Sequence, residues 1–354
     1  LDKVPYNTFD SSQIPYYDGT PLVTKNRVLN VLIGPRGNGK TYWFKRFFSK
    51  RGIKGKGKFI YLRRKVVELD NITDFFDDIR DDPELEGYLF MQKGNNLYAA
   101  LDVGEDEKPE WVQIGSMYAL ASNETIKSKS YSDYDRMLFD EWLPLNPNGF
   151  LKNEVETFYS VLDTVFRDRD FQVFLVGNSS ILYNPYFEAF NIYPNISKEF
   201  TYSKEKPIAI QVIDSPEWSN YRKQTALGQL ISGTDYEEYA NNNAFEDNSD
   251  NLVEDMNKEA KNIIVIKLDG SVFGIWRDEQ KEAIYFSDKF NSSVKYKYTF
   301  DFDDIDNNFM SYKNFYDCPH LFALRIAQQN NKIFFTTKRV KALVRPIVSK
   351  LGLL

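Results

Sequence analysis

The stretch VLNVLIGPRGNGKTYWFKRFF, Val28 to Phe48, decides how the rest of the chain is read. It begins as a short apolar run, breaks at Gly34, carries further glycines at 37 and 39, and then turns amphipathic. A buried parallel strand is apolar along its length, and a change from that pattern to helical spacing predicts a strand–loop–helix unit. Within the loop, GPRGNGKT fits G-x-x-x-x-G-K-[ST], with Gly34, Gly39, Lys40 and Thr41 in register. This is the P-loop pattern in the context that it needs. The glycines let backbone N–H groups turn inward around phosphate oxygens, and the helix N-terminus favours an anion. The expected nucleotide contacts are Gly34, Arg36, Gly37, Asn38, Gly39, Lys40 and Thr41. Lys40 reaches the β- and γ-phosphates, and the Thr41 hydroxyl ligates Mg2+.

A second segment, DRMLFDEW (135–142), supplies what such a site lacks. Met137, Leu138 and Phe139 read as a buried strand with Asp140 and Glu141 at its carboxyl edge, where ligands of open α/β sheets bind. Asp140 is expected to hold Mg2+ through water, and Glu141 to orient and deprotonate the attacking water. The paired carboxylates favour hydrolysis over nucleotide storage. The absence of an Asn-Lys-x-Asp run favours ATP over GTP. A further strand, FQVFLVGNSS (171–180), ends in polar residues, and the Asn178 amide there is a candidate sensor of the γ-phosphate or the lytic water.

Further apolar runs at 58–64 and 208–213 alternate with helical patterns. One of these, LKNEVETFYSVLDTVFRDRD (151–170), is apolar at Val155, Phe158, Val161, Leu162, Val165 and Phe166. Strands alternating with helices imply a parallel sheet covered on both faces. After about residue 203 the texture changes. A polar, acidic stretch (232–261) precedes NIIVIKLDGSVFGIWRDEQKEAIYFSD (262–288), which reads as an antiparallel meander, and basic helices close the chain. The expected division is an α/β nucleotide-binding domain over 1–205, a linker over 206–260 and a small C-terminal domain over 261–354.

Composition bounds the function. The 354 residues include one cysteine and one histidine, which excludes an internal disulfide framework and argues against a Cys/His zinc site. That usage fits a reducing compartment. No apolar run is long enough for a membrane helix, and LDKVPYNTFD at the start has no signal-peptide core. The net charge of −6 hides its distribution: 36–67 and 318–354 carry many Lys and Arg and no acid. Patches of that kind, rather than the sum, decide attraction to a polyanion.

Together these residues resemble the genome-packaging ATPases of small short-tailed double-stranded DNA phages, terminase-like motors related to the FtsK/HerA ring ATPases. RVLNVLIGPRGNGKTY, with an arginine inside the loop, FIYLRR, MLFDEW, LDTVFRDRD, VGNSS, NPYFEAFNIYP, LISGTDY and GSVFGIW carry the likeness over most of the chain. The resemblance implies an ASCE-type P-loop ATPase domain and a reduced, RNase H-like α+β C-terminal domain. It also implies an ATP- and Mg2+-dependent motor, a homo-oligomeric ring taken as a pentamer, that drives double-stranded DNA through the portal into a preformed procapsid. Arg167 becomes a finger acting on the neighbouring subunit's nucleotide, and Lys127 a second trans-acting cation. From composition alone, Arg167 and Arg169 read as surface ion pairs with Asp168 and Asp170. A structural packaging RNA is a partner in some relatives. The implied location is the host cytoplasm, in transient attachment to the assembling virion. Nuclease activity is not expected, because Asp269 and Asp288 have no third carboxylate partner. DNA-gripping candidates are the turn SKRGIKGKGK (49–58) and the basic tail. The alternative is a helicase- or segregation-type ATPase with no capsid.

Overall fold

The structure is a computed structural model. It describes residues 14–127, 129–144, 149–178, 182, 184–195, 198–213, 215–234, 252–268, 271–300, 305–306 and 308–350. The chain divides into two compact units, Leu1–Phe245 and Glu246–Leu354.

The first unit is built on one sheet of nine strands among the described residues. They are β1 (Leu29–Gly34), β2 (Lys58–Arg63), β3 (Tyr88–Lys93), β4 (Asn96–Leu101), β5 (Val112–Ala119), β6 (Tyr134–Asp140), β7 (Gln172–Asn178), β8 (Phe200–Tyr202) and β9 (Ile208–Val212). The spatial order is β3-β4-β5-β2-β6-β7-β1-β9-β8. From β5 across to β9 every neighbouring pair is parallel. The β3–β4 hairpin, which also pairs antiparallel with β5, and the short β8 add antiparallel edges. The sheet is thus mixed at its borders and parallel where the phosphate loop sits.

Helices of this unit are α1 (Thr20–Val23), α2 (Lys40–Ile53), α3 (Val66–Asp70), α4 (Asn123–Lys127), α5 (Glu154–Phe166), α6 (Pro185–Phe190), α7 (Pro216–Gln224) and α8 (Ala226–Leu230). On α5, Val155, Phe158, Val161, Val165 and Phe166 are buried, as their spacing requires. They pack in one cluster with Phe139 and Leu175 on the sheet. Helix α2 buries Trp43, Phe44 and Phe48 on the other face, where Phe48 stacks on Phe59 with ring centroids 5.4 Å apart. Each such side chain contributes about 1.5–3 kcal/mol by leaving water. The two clusters fix the sheet between helical layers.

The expected boundary near 205 falls inside this sheet, because β9 is hydrogen-bonded to β1 and β8 to β9. The described part of 206–260, expected as a linker, carries β9, α7 and α8. The apolar run IAIQV is buried along its length as the last parallel strand.

In the second unit, β10 (Lys261–Leu268), β11 (Ser271–Asp278) and β12 (Ala283–Ser287) form the antiparallel meander. Strand β13 (Lys297–Thr299) joins β10 in parallel and β14 (Met310–Ser311) joins β13 in parallel, the strand order of an RNase H-like α+β domain. Strand β15 (Ile333–Phe335) extends the far edge beside β12. Helices α9 (Leu321–Gln329) and α10 (Lys338–Lys350) supply Leu321, Leu324, Val340 and Val344 to its core. Asp269 lies outside the described residues, and Asp288 is exposed just past β12. Among the described residues no three His, Cys, Asp or Glu side chains gather that could hold a metal ion.

Candidate active site

Strand β1 ends at Gly34, and α2 begins at Lys40, so residues 35–39 must reverse direction in one tight loop. Gly37 and Gly39 make this possible at φ 79° and 85°, a left-handed region in which a side chain costs about 1–2 kcal/mol. Tyr17 braces the loop from outside, its N–H donating to the Asn38 carbonyl at 2.9 Å. The loop lines a cleft of about 330 Å³ with Arg36, Asn38, Lys40, Thr41, Asp140, Glu141 and Asn178.

Lys40 is buried, and its Nζ is ringed by oxygens: Pro35 O at 2.5 Å, Gly34 O and Asn38 Oδ1 at 3.1 Å, and Asn178 Oδ1 at 3.3 Å. Burial pulls its pKa from the ordinary 10.5 down to about 7, opposed by the Asp140 charge. Between those values the folded chain binds fewer protons here than the unfolded chain. This group therefore favours folding increasingly as pH rises through that window. A bound polyphosphate stabilises the charged ammonium. Nucleotide binding is thus expected to take up close to one proton above pH 7, and its affinity to fall by up to about tenfold per pH unit there. Titration calorimetry in buffers of different ionisation heat measures this uptake; no buffer dependence at pH 8 would contradict it.

Strand β7 separates the phosphate loop from the acidic strand end, with Asn178 paired to Gly34 and Val176 paired to Asp140. The strand spacing still lets the two sides meet: the Thr41 hydroxyl donates to Asp140 Oδ1 at 2.8 Å. The other Asp140 oxygen accepts from the Tyr61 hydroxyl at 2.8 Å and from Arg63 at 3.0 Å. Burial, and then the Asp140 charge, hold the Tyr61 phenol well above its ordinary pKa, so it stays a donor. Glu141 follows at φ 53°, with its carboxylate exposed and held by the second Arg63 nitrogen at 2.5 Å. Arg63 thus spans both carboxylates. Hydroxyl and carboxylate oxygens in one place are the hard donors that Mg2+ takes, so Thr41 and Asp140 fit that ion.

Arg167 and Lys127 do not line this cleft. Arg167 caps α5, exposed, at φ 54° and ψ −121°, and among the described residues it makes no ion pair with Asp168 or Asp170. Arg169 is different: its guanidinium donates to the carbonyls of Ser132 at 2.6 Å, Tyr134 at 3.0 Å and Val165. One arginine of RDRD is therefore structural and the other is presented outward. Lys127 pairs with Glu124 at 3.1 Å, both exposed.

Sequence reasoning missed Tyr61, Arg63 and Arg64. They lie in FIYLRR, read only as a strand and as part of a resemblance. The available signal was two arginines at the carboxyl end of a strand beside the acidic one.

The family model of the podovirus DNA encapsidation protein (Gp16) matches residues 10–352. The chain belongs to that family. It is 32% identical over 324 residues to the DNA packaging protein of Bacillus phage B103, covering 91% of this chain and 97% of the relative. To the DNA packaging protein of Bacillus phage phi29 it is 29% identical over 338 residues, covering 95% and 98%. A solved chain of the bacteriophage Phi-29 viral genome packaging motor assembly superposes with a TM-score of 0.70 at 28% identity, covering 96% of this chain and 98% of that one. Membership favours the packaging reading over the helicase- or segregation-type alternative.

Proposed function

We propose that the chain is the ATP-hydrolysing subunit of a homo-oligomeric ring that drives double-stranded DNA through the portal into a procapsid. The observation that carries this reading is the joining of Thr41, Asp140 and Glu141 at the mouth of a phosphate-binding loop, with Lys40 and Asn178 opposite. Lys40 and the loop amides bind the phosphates. Thr41 and Asp140 would hold Mg2+, which supplies charge neutralisation at the transferring phosphoryl group. Glu141 accepts the proton of the attacking water. Asn178, bonded to Lys40, is placed to sense the γ-phosphate.

The transition state of phosphoryl transfer spreads charge over equatorial oxygens. Among the described residues that line the cleft the one arginine is Arg36, and Arg63 beside it is paired with Asp140 and Glu141. Arg167 of the next subunit supplies that charge, with Lys127 beside it. Hydrolysis then depends on neighbour contact, which couples the subunits around a ring. Five subunits and a structural RNA between ring and portal complete the assembly that we infer, working in the host cytoplasm on the assembling particle. Duplex-stimulated ATP hydrolysis together with binding to portal-bearing empty capsids tests the reading; ATP turnover that ignores both would count against it.

A packaging motor must accept every sequence, so it grips phosphates rather than bases. The stretch 49–58, with Lys54 and Lys56 exposed in the turn between α2 and β2, and the basic C-terminal tail are the proposed grips. Log affinity for duplex DNA is expected to fall linearly with log salt, with a slope of about −0.9 per phosphate neutralised. Fluorescence anisotropy across a salt series measures the slope, and a flat response would remove the phosphate grip.

A further inference from the structure

Arg63 and Arg64 are consecutive and have opposite surroundings. Arg63 is the last residue of β2 and Arg64 the first beyond it. Arg63 reaches the cleft, whereas Arg64 is only 4% exposed, against the face covered by α5. Its Nε donates to both oxygens of Glu154, at 3.1 and 2.9 Å. Its two remaining nitrogens donate to main-chain carbonyls: Glu141 O at 3.1 Å, and Trp142 O. The guanidinium also lies over the rings of Phe139 and Phe150, at 5.8 and 5.3 Å.

Glu154 is the first residue of α5 and is 3% exposed. Its oxygens also accept from the Tyr186 hydroxyl at 2.9 Å and from the Leu151 N–H at 2.7 Å. Each guanidinium nitrogen and both carboxylate oxygens are thus hydrogen-bonded, yet a buried ion pair is commonly no more stabilising than apolar side chains of equal volume. Stability alone does not account for it, and what it holds does. Arg64 grips the turn in which Glu141 sits at φ 53°, a conformation that persists only where the surroundings over-determine it. Glu154 anchors the start of α5, a 13-residue helix and so about 20 Å long. Arg167 stands at the other end of that helix, which Arg169 fastens to the loop before β6.

We propose that the buried Arg64–Glu154 pair is a positioning device that locks the turn carrying Glu141 to the helix carrying Arg167. A subunit's own catalytic carboxylate and the finger lent to its neighbour are then held as one unit. This rests on the reading above in which Arg167 acts in trans.

The test compares the full-length apolar double variant R64M/E154L with R64K, which keeps a charge and loses the planar fork. The double variant is expected to melt below the wild type, because the Tyr186 hydroxyl, the Leu151 N–H and two carbonyls lose their partners. It is expected to be folded and to bind nucleotide normally at an assay temperature well under its own melting point, while kcat in the ring falls about 10²-fold, the scale of a small misplacement of catalytic groups. R64K, less disruptive to folding, is expected to show the same split between kcat and KM. Mixed rings read the second half of the proposal. E141Q subunits, whose finger is intact, should restore hydrolysis by R167A partners; R64M/E154L subunits should not. Wild-type kcat in either variant, or rescue of R167A as good as that by E141Q, overturns the linkage. Silence of the R167A–E141Q mixture itself refutes donation in trans, and the linkage falls with it.

Discussion

Replacing Arg167 by alanine is expected to lower steady-state ATP hydrolysis of the assembled ring by about 10³–10⁵-fold, the range measured for arginine fingers. The guanidinium is exposed at the end of α5, has no carboxylate partner among the described residues, and does not line the cleft of its own chain. Removing it should therefore leave folding and ATP binding intact. Its backbone breaks from the helix there, at φ 54° and ψ −121°. Arg169 is the internal control, since its three carbonyl acceptors make it structural. Steady-state assays of R167A rings, alone and mixed with E141Q subunits, check the claim. Each variant should be silent alone and active in mixture. If the mixture stays silent while both variants assemble, the finger does not act across an interface.

Glu141→Gln is expected to abolish turnover, with a loss of about 10²–10⁴-fold for a general base, while ATP remains bound. The substitution keeps the shape of the side chain and removes the proton acceptor. It also removes the ion pair with Arg63. That pair involves a carboxylate that is 58% exposed, and such pairs contribute only about 0–1 kcal/mol. The fold should thus survive, and loss of the negative charge near the γ-phosphate should not weaken binding. Filter binding of labelled ATP beside single-turnover hydrolysis separates the two effects. Wild-type turnover in E141Q would take the base role from this residue and leave Arg63 holding a carboxylate of no catalytic consequence.

The strands nearest the phosphate loop were legible because a strand buried on both faces must be apolar throughout: Val31–Ile33, Phe59–Leu62, Met137–Phe139 and Val173–Val176 announce themselves. Strand β5 does not, since it carries Gln113, Gly115 and Ser116. Gln113 and Ser116 bond each other within the strand at 3.0 Å and reach across to its neighbours: Gln113 Nε2 donates to Asn96 Oδ1 on β4 at 3.2 Å and to the Tyr134 hydroxyl on β6 at 3.0 Å, and Ser116 Oγ lies 2.7 Å from that hydroxyl. A network between elements leaves no periodic trace. The domain boundary misled for a related reason. IAIQV reads as a strand, but nothing local says that it returns to pair with β1.

The site divides in the same way. The phosphate loop and the Asp-Glu strand end are local patterns, each readable within a few residues. Arg63 and Arg64 are adjacent letters with opposite surroundings, and the Arg64 partner Glu154 lies 90 residues further on. Sequence shows two arginines at a strand end; only the folded sheet tells the one on the cleft from the one in the core. Asn178 was legible as a polar strand end, while its 3.3 Å contact with Lys40 requires β7 to lie beside β1.

The most direct measurement is an electron cryomicroscopy structure of the ring on its procapsid, stalled with a non-hydrolysable ATP analogue and Mg2+. The account predicts the triphosphate in the loop at residues 34–41, the ion beside Thr41 and Asp140, the γ-phosphate facing Glu141, and Arg167 of the next subunit reaching it. A nucleotide bound elsewhere, or an interface that keeps every Arg167 far from the adjoining phosphates, would contradict it.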